Sequence, residues 1–484
     1  MYSHYMTSMN AWDPRILIVG AGTGGLCLAH GLRQAGFSHV TICERDRTRR
    51  DGLQGYRVGI SPDGSRALQA CLPQDLYDTF VATCARPPRS FSVLDEHLHT
   101  LLEVTERDGL NLGTDPVDSE KSVSRMTLRQ VLLTGVEDVV RFDTRFSQYA
   151  QRADGSVEAF FEDGTSLVAD LLVGADGSNS RVRQQLLPDA RPEDTGIVGI
   201  AGKVLLTDEV KRLIAPPLWK GVTLIFGPKG YSWVSHTMEF PWRDGRPKAG
   251  IGRTEAELIG SWPGLLFDNT SDYFMWGFSG ARKRLPVDPM PLSGGQLIDL
   301  VLQLTPDWHP NLRSLVELSD PSATFPISIR TSVPVAPWPT GPVTLLGDAI
   351  HTMTPGRGVG ANTALLDAML LCQQLAAVRA GELDQTAAIA AYEAAMRSYG
   401  FEAVRASLAQ MTADAPVHDP IWGGPALALM KTALRAVNAL PPLKRKFAHA
   451  QNDLRNRQRH AALEQLSHTH AAHEQQPAVV AHAR

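Results

Sequence analysis

One short segment, Gly20-Ala21-Gly22-Thr23-Gly24-Gly25, constrains this chain more than any other: it fits G-x-G-x-x-G, and its two flanks differ in kind. Before it runs Arg15-Ile16-Leu17-Ile18-Val19, a short apolar run of the sort that forms a strand buried on both faces of a parallel sheet. After it, Leu26 to Ala35 has helical spacing, Gly36 is a stop, and His39 to Cys43 reads as a second strand. The whole is a β–α–β opening of ordinary length. In such a turn the first glycine permits the bend, the second lets backbone approach a pyrophosphate, and the third lets helix pack on strand. Free N–H groups at the helix start then face the phosphate oxygens. Glu44 stands just past the second strand, where a carboxylate accepts from ribose hydroxyls; the plainer reading is a solvated charge at a strand end. Gly20, Gly22, Thr23, Gly25, Glu44 and its neighbour Arg45 are the first candidate binding residues.

Two later segments end a strand in small residues that carry one Asp. Gly174-Ala175-Asp176-Gly177 precedes Arg181 and Arg183, and alone it would be an ordinary Asp-Gly turn. Val343 to Leu346 reads as another buried strand, with Gly347-Asp348 directly behind it. The chain then passes through Pro355-Gly356-Arg357-Gly358-Val359-Gly360-Ala361-Asn362 into a helix predicted over 360–379. An Asp there can accept from a polyol chain, while the helix N-terminus faces a negatively charged ring edge. Arg125-Met126-Thr127-Leu128 opens a further predicted helix over 125–133.

In this order, and over most of residues 15–400, these segments resemble the group A flavoprotein monooxygenases of the para-hydroxybenzoate hydroxylase type. The resemblance implies an α/β fold: a glutathione-reductase-like Rossmann FAD-binding domain, an inserted mixed β-sheet substrate domain and a helical C-terminus. Laid on this sequence, the FAD-binding domain is expected over 12–85, 111–189 and 333–400, and the substrate sheet over 86–110 and 190–332. C-terminal helices are expected over 401–466 and a disordered tail over 467–484. The resemblance further implies non-covalent FAD. Gly20, Gly22, Thr23, Gly25, Glu44 and Arg45 would hold its adenosine and pyrophosphate end, with Arg125, from the R-x-x-L pattern, near the pyrophosphate. Asp176 and Gly177 would touch FAD and, transiently, NAD(P)H. Gly347, Asp348, Pro355, Gly358, Val359, Gly360, Ala361 and Asn362 would surround the ribityl and flavin. Pro355, Gly356 and Gly358 would form the environment of the oxygen adduct. The implied chemistry is reduction of FAD by NAD(P)H, capture of O₂ as a flavin C4a-hydroperoxide, and transfer of one oxygen to an aromatic or polycyclic small molecule. No second glycine fingerprint stands for NAD(P)H, which in that family visits without a domain of its own. The wording GRGVGANTALLDA is similar to a branch acting on natural-product aromatics, hence secondary metabolism.

Between about 190 and 332 the pattern changes to alternating, aromatic-rich strands, and Trp219, Trp233, Trp242, Trp262 and Trp276 all fall there. Trp233 and Trp276 either wall an apolar substrate site or pack as core against a helix predicted near 295–304. His236 is a candidate to deprotonate a phenol, or a structural strand histidine; His351 is structural or a flavin contact. Lys plus Arg is 47 against 51 Asp plus Glu, a net charge of −4, so nothing favours nucleic acid as a partner. Five cysteines without CxxC spacing point to a reduced interior, and the first 15 residues show no apolar h-region. The apolar stretch Ile16–Leu32 is too rich in glycine to span a membrane. A soluble, cytoplasmic chain without stable membrane insertion is the expectation. Residues 431–459 are basic, reading as a surface amphipathic helix or as a weak contact for a membrane surface. Only the tail histidines His468, His470 and His473 suggest metal, and no metal site is expected. Rival functions are a FAD-dependent reductase or desaturase of the same fold and a catalytically silent FAD-binding protein. A flavin halogenase is disfavoured: no two Trp stand two apart, and the first lysine is Lys121.

Overall fold

The computed structural model describes residues 12–49, 51, 57–110, 117–243, 246–247 and 271–452, with backbone alone at 242–243 and 246–247. Trp262, the histidines of the tail, the predicted tail over 467–484 and the basic residues beyond 452 lie outside the described residues.

A five-stranded parallel sheet runs in the order Val343–Leu345, Leu171–Gly174, Ile16–Val19, Val40–Cys43, Val140–Arg141. Ile16–Val19 is paired on both sides and buried at every position, as its unbroken apolar run requires. The helix Thr23–Gln34 packs between this sheet and the helix Gly360–Arg379. Gly360–Arg379 is long and apolar enough to cross a membrane, but its most apolar window is 78% buried among neighbouring helices, which makes it a core helix. A hairpin turning at Asp163-Gly164 pairs the strands Val157–Phe161 and Ser166–Ala169, and Phe146–Gln151 joins them in a small antiparallel sheet.

The second large sheet has seven strands, ordered Phe325–Thr331, Glu193–Leu205, Tyr273–Ala281, Ser232–Met238, Gly221–Phe226, Ser90–Asp95, Thr100–Thr105. Neighbours are antiparallel except Gly221–Phe226 with Ser90–Asp95, so the sheet is mixed. One face is covered by the helices Gly294–Leu304 and Pro310–Glu317 over a core of Trp233, Phe274, Trp276 and Phe278. Side chains alternate along each strand, so His236, Met275, Ala201 and Ile327 belong to the other face.

Candidate cofactor and substrate site

The strands Ile16–Val19, Leu171–Gly174 and Val343–Leu345 are adjacent and parallel, so all three sequence motifs leave the sheet at its carboxyl edge. That edge is where open α/β sheets bind ligands. The motifs touch one another. Gly20 has φ +110°, and a Cβ there would lie 2.4 Å from the Ala175 carbonyl oxygen; a Cβ at Gly25 would lie 2.2 Å from Gly20 O. Only glycine allows this approach of helix, turn and second motif. A Cβ at Gly24 would strike Leu346 at 2.6 Å and come within 3.1 Å of Ala364 O, which seats the same helix on the third motif. Gly22, by contrast, finds no atom closer than 4.0 Å, and no side chain caps the helix that starts at Thr23.

Glu44 is buried and tied to the turn. Its Oε2 accepts from Ala21 N at 2.7 Å and its Oε1 from Asp46 N at 2.9 Å, while Arg129 stands 3.9 Å away. The carboxylate thus fixes the turn and keeps a further lone pair on each oxygen for a ligand. Arg45 is exposed beside it, on an open cleft of about 460 Å³ with Asp46, Arg47, Asp51, Asp143 and Arg145. In the second motif, Asp176 Oδ2 accepts from Arg181 N at 2.7 Å, capping the helix Arg181–Leu186. Its Oδ1 is buried without a protein partner, and burial raises the carboxyl pKa. Gly177 stands beside it, and a Cβ there would meet nothing within 4 Å.

Asp348 opens the third motif at the carboxyl end of the buried strand Val343–Leu345. Its side chain is exposed, yet chain surrounds it closely enough that burial raises its carboxyl pKa, against the opposing charges of His351 and Arg125. Arg125, the first residue of the helix Arg125–Leu133, is exposed as well, and its charge acts on the Asp348 carboxyl. The turn Pro355–Arg357 leads to Gly358, at φ +64° with open space where a Cβ would stand, and then to Val359 and the helix beginning Gly360-Ala361. Asn362 is engaged by protein: Oδ1 accepts from Ser61 N at 2.8 Å, and Nδ2 donates to Gly59 O at 2.9 Å. It pins the loop to the strand Arg57–Ile60.

Two structural residues carried no separate signal in the sequence. Arg183 is buried and donates to Ser178 O at 3.0 Å and Ala349 O at 2.9 Å, binding second motif to third. Asp367 accepts from Gly347 N and from His351 Nε2, each at 2.6 Å, and from the Tyr399 hydroxyl at 2.5 Å. His351 is therefore fully buried and structural. Burial disfavours its charged form, but Asp367's charge and hydrogen bond, with Asp348 added, outweigh this and raise its pKa.

The proposed substrate residues divide between the two faces of the sheet. Trp233 and Trp276 stack on each other, with ring centroids 5.1 Å apart and planes at 14°, inside the helix-covered core. They lie on the sheet face turned away from the turn Pro355–Arg357. His236 is on the opposite face, buried, with neither ring nitrogen hydrogen-bonded. Burial, and then the charge of Arg57, hold its pKa well below the usual value, so the ring is neutral. That face adjoins the glycine loop: Ile197 and Ile329 pack on Met411 and Ala413, and a Cβ at Gly356 would stand 3.4 Å from that of Met411. Among the described residues, no group of three or more His, Cys, Asp or Glu could hold a metal ion.

FAD fits this site by three observations: the uncapped helix start beside the Gly20 turn, the unpartnered buried Asp176 Oδ1, and the exposed Asp348 at the same sheet edge. Comparison with known proteins agrees. Residues 320–407 match a FAD binding domain family. The chain is 32% identical over 415 residues to the dual O-methyltransferase/FAD-dependent monooxygenase CTB3 of Cercospora beticola, covering 79% of this chain and 44% of that protein. It is 27% identical over 376 residues to the FAD-dependent monooxygenase thnD of Trichoderma harzianum, covering 74% of this chain and 82% of the relative. The chain thus spans less than half the length of the first curated relatives it matches. Among solved structures, a candidate FAD-containing monooxygenase from Photorhabdus luminescens superposes with TM-score 0.70 at 32% identity, covering 82% of this chain and 97% of that one. Klebsiella pneumoniae HpxO, solved with FAD and uric acid, shares the fold at TM-score 0.68 and 20% identity, covering 91% and 96%. With its three converging motifs and a relative matched along nearly its whole length, this chain belongs to the FAD-dependent monooxygenases.

Proposed function

We propose that this chain uses NAD(P)H and O₂ to put one oxygen atom into an aromatic or polycyclic small molecule. The observation that carries the reading is the convergence of the glycine turn, the Asp176 turn and the exposed Asp348 at one carboxyl edge of the parallel sheet. FAD, when bound, supplies hydride acceptance and oxygen activation. The chain supplies the rest. N–H groups at the start of the helix Thr23–Gln34 hold the pyrophosphate, with Arg125 adding charge. Asp348 accepts from the ribityl hydroxyls. The turn from Pro355 to Gly358 brings backbone against the ring and keeps water from it. His236, a neutral imidazole with both nitrogens available, bonds a substrate hydroxyl on the sheet face beside that turn. The same reading divides the chain into a discontinuous cofactor unit and a substrate unit, and the five buried free thiols suit a reducing compartment.

The test is turnover. NAD(P)H oxidation should be slow alone and rise at least about tenfold with a productive aromatic, a change equivalent to about 1.4 kcal/mol of gating. Under ¹⁸O₂ the product should gain one labelled oxygen. Label from H₂¹⁸O, or equal turnover without O₂, would assign the chain to the reductases instead. Flavin that NAD(P)H never reduces would make it a silent FAD-binding protein.

His236 has its own test. His236→Leu should raise KM for a hydroxyl-bearing aromatic about tenfold, the cost of leaving a buried hydroxyl unpaired. The methyl ether of the same compound should be affected far less, and FAD content should hold. Equal effects on both compounds would reduce His236 to a packing residue.

A further inference from the structure

The helix Gly423–Ala439 is amphipathic in the inverse sense of a water-facing helix. It packs on the sheet edge at Thr100–Thr105, where Lys431 and Asn438 turn inward while Arg435 and Thr432 stay exposed along one flank. Lys431 pairs with Glu96, Arg435 stands 3.3 Å from Asp95, and Asn438 Oδ1 accepts from Glu103 N at 3.1 Å. Outward, residues 422, 425, 426, 429, 433, 436 and 440 form one stripe at helical spacing, all apolar. It runs about 27 Å at 1.5 Å per residue. Trp422 is 68% exposed, Leu429 72% and Leu440 50%, with Ile421 at 78% and Leu443 at 44% at the two ends. A water-exposed helix would carry charge on this side. Here Trp and Leu side chains meet solvent, while Lys431 is held against the protein and Arg435 stands half-exposed at the flank.

The charge around the stripe names its occupant. No acidic residue occurs between Asp419 and Asp453, while Lys431, Arg435, Lys444, Arg445 and Lys446 do. Lys444 is held by Asp108 at 3.2 Å, but Arg445 and Lys446 are exposed just beyond Leu440 and Leu443. An anionic lipid surface accepts both parts: acyl boundary for the Trp and Leu side chains, phosphate and carboxylate for the cations. We propose that this face docks the chain on the headgroup layer of an anionic phospholipid bilayer, with Trp422, Leu429 and Leu440 at the acyl boundary and Arg445 and Lys446 among the headgroups. The helix lies on the surface and does not span it. An apolar substrate dissolved in the bilayer would then be concentrated where the chain sits.

Flotation of the full chain, loaded with FAD, with phosphatidylcholine vesicles and with equal-part phosphatidylcholine–phosphatidylserine vesicles tests this. Binding should be strong only to the mixed vesicles. Trp422→Ser/Leu429→Ser/Leu440→Ser should abolish it, and Arg445→Glu/Lys446→Glu should weaken it at least about tenfold, as two surface cations imply. The changed side chains are exposed, so FAD content and melting temperature should match the wild type and report that each variant folds. Absence of vesicle binding, binding that ignores phosphatidylserine, or binding that survives the triple substitution would overturn the proposal. So would a concentration-dependent dimer in size-exclusion chromatography that the triple substitution removes without any vesicle binding, which would assign the face to a second copy.

Discussion

Asp367→Ala is expected to cost about 3–5 kcal/mol of stability, the usual price of leaving one partner of a buried charged pair alone. Asp367 is fully buried and accepts from Gly347 N, His351 Nε2 and the Tyr399 hydroxyl. Deleting it strands three donors at once and frees the turn that presents Asp348. The melting temperature of the FAD-saturated protein should drop several degrees. The loss should depend on pH in a definite sense. His351 has a raised pKa in the folded protein, so its stabilisation is fully present below the unfolded value, about 6.5, and fades as pH rises through the folded value. The gap between wild type and Asp367→Ala should therefore be wider at about pH 6 than at about pH 9, if other groups respond alike in both proteins. Equal melting temperatures at the lower pH would show that the pair contributes nothing.

Asp348→Ala should weaken FAD binding about tenfold to hundredfold, corresponding to roughly 1–3 kcal/mol for ligand donors left unpaired in an enclosed site. The carboxylate has no backbone or side-chain donor among the bonds found at its neighbours, so its loss should spare the fold while it costs the cofactor. Fluorescence-quench titration of the apoprotein with FAD measures it. Asp348→Asn, which keeps an acceptor oxygen, should fall between the two. An unchanged affinity in Asp348→Ala would remove the ribityl role and leave the Gly347-Asp348 turn a matter of chain geometry. The two substitutions separate cleanly: one is read in melting temperature, the other in cofactor affinity.

The sequence was most legible where local chemistry and tertiary position agree. The helix Gly360–Arg379 has the predicted bounds, because the glycine loop starts it and Gly381 follows its end. The helix after the first glycine turn begins at Thr23, ahead of the predicted Leu26, since the glycines that bend the chain also form its first turn. The strand Glu193–Leu205 was harder to foresee, as Gly196, Gly199 and Gly202 count against it. Tertiary packing decides there: a Cβ at Gly202 would lie 2.4 Å from the Trp276 ring, so the indole takes the space a side chain would need. Alternation correctly grouped Trp233 with its strand neighbours but could not tell which face met the cofactor side. That depends on where the helices Gly294–Leu304 and Pro310–Glu317 settle, and they settle over the tryptophans. The roles of Arg183, named only as part of the second motif, and of Asp367 were not legible because each acts between segments far apart in the chain. Nothing in their local sequence records the partner.

The order of the parallel sheet also sets a timetable for synthesis. Ile16–Val19 leaves the ribosome well before its neighbour Leu171–Gly174 and the next strand, Val343–Leu345. At about 5–20 residues per second, the interval between the first of these strands and the last is roughly 15–65 s. Through that time the nascent chain holds an apolar edge with no permanent neighbour, a state that invites aggregation and rewards chaperone binding. The glycine turn at 20–25 can form as soon as its own helix is made, yet Ala175, Leu346 and Ala364, which close around it, come later in the chain. A translation stall between residue 35 and residue 345 therefore yields a chain that has the glycine turn and lacks the strands that complete its edge.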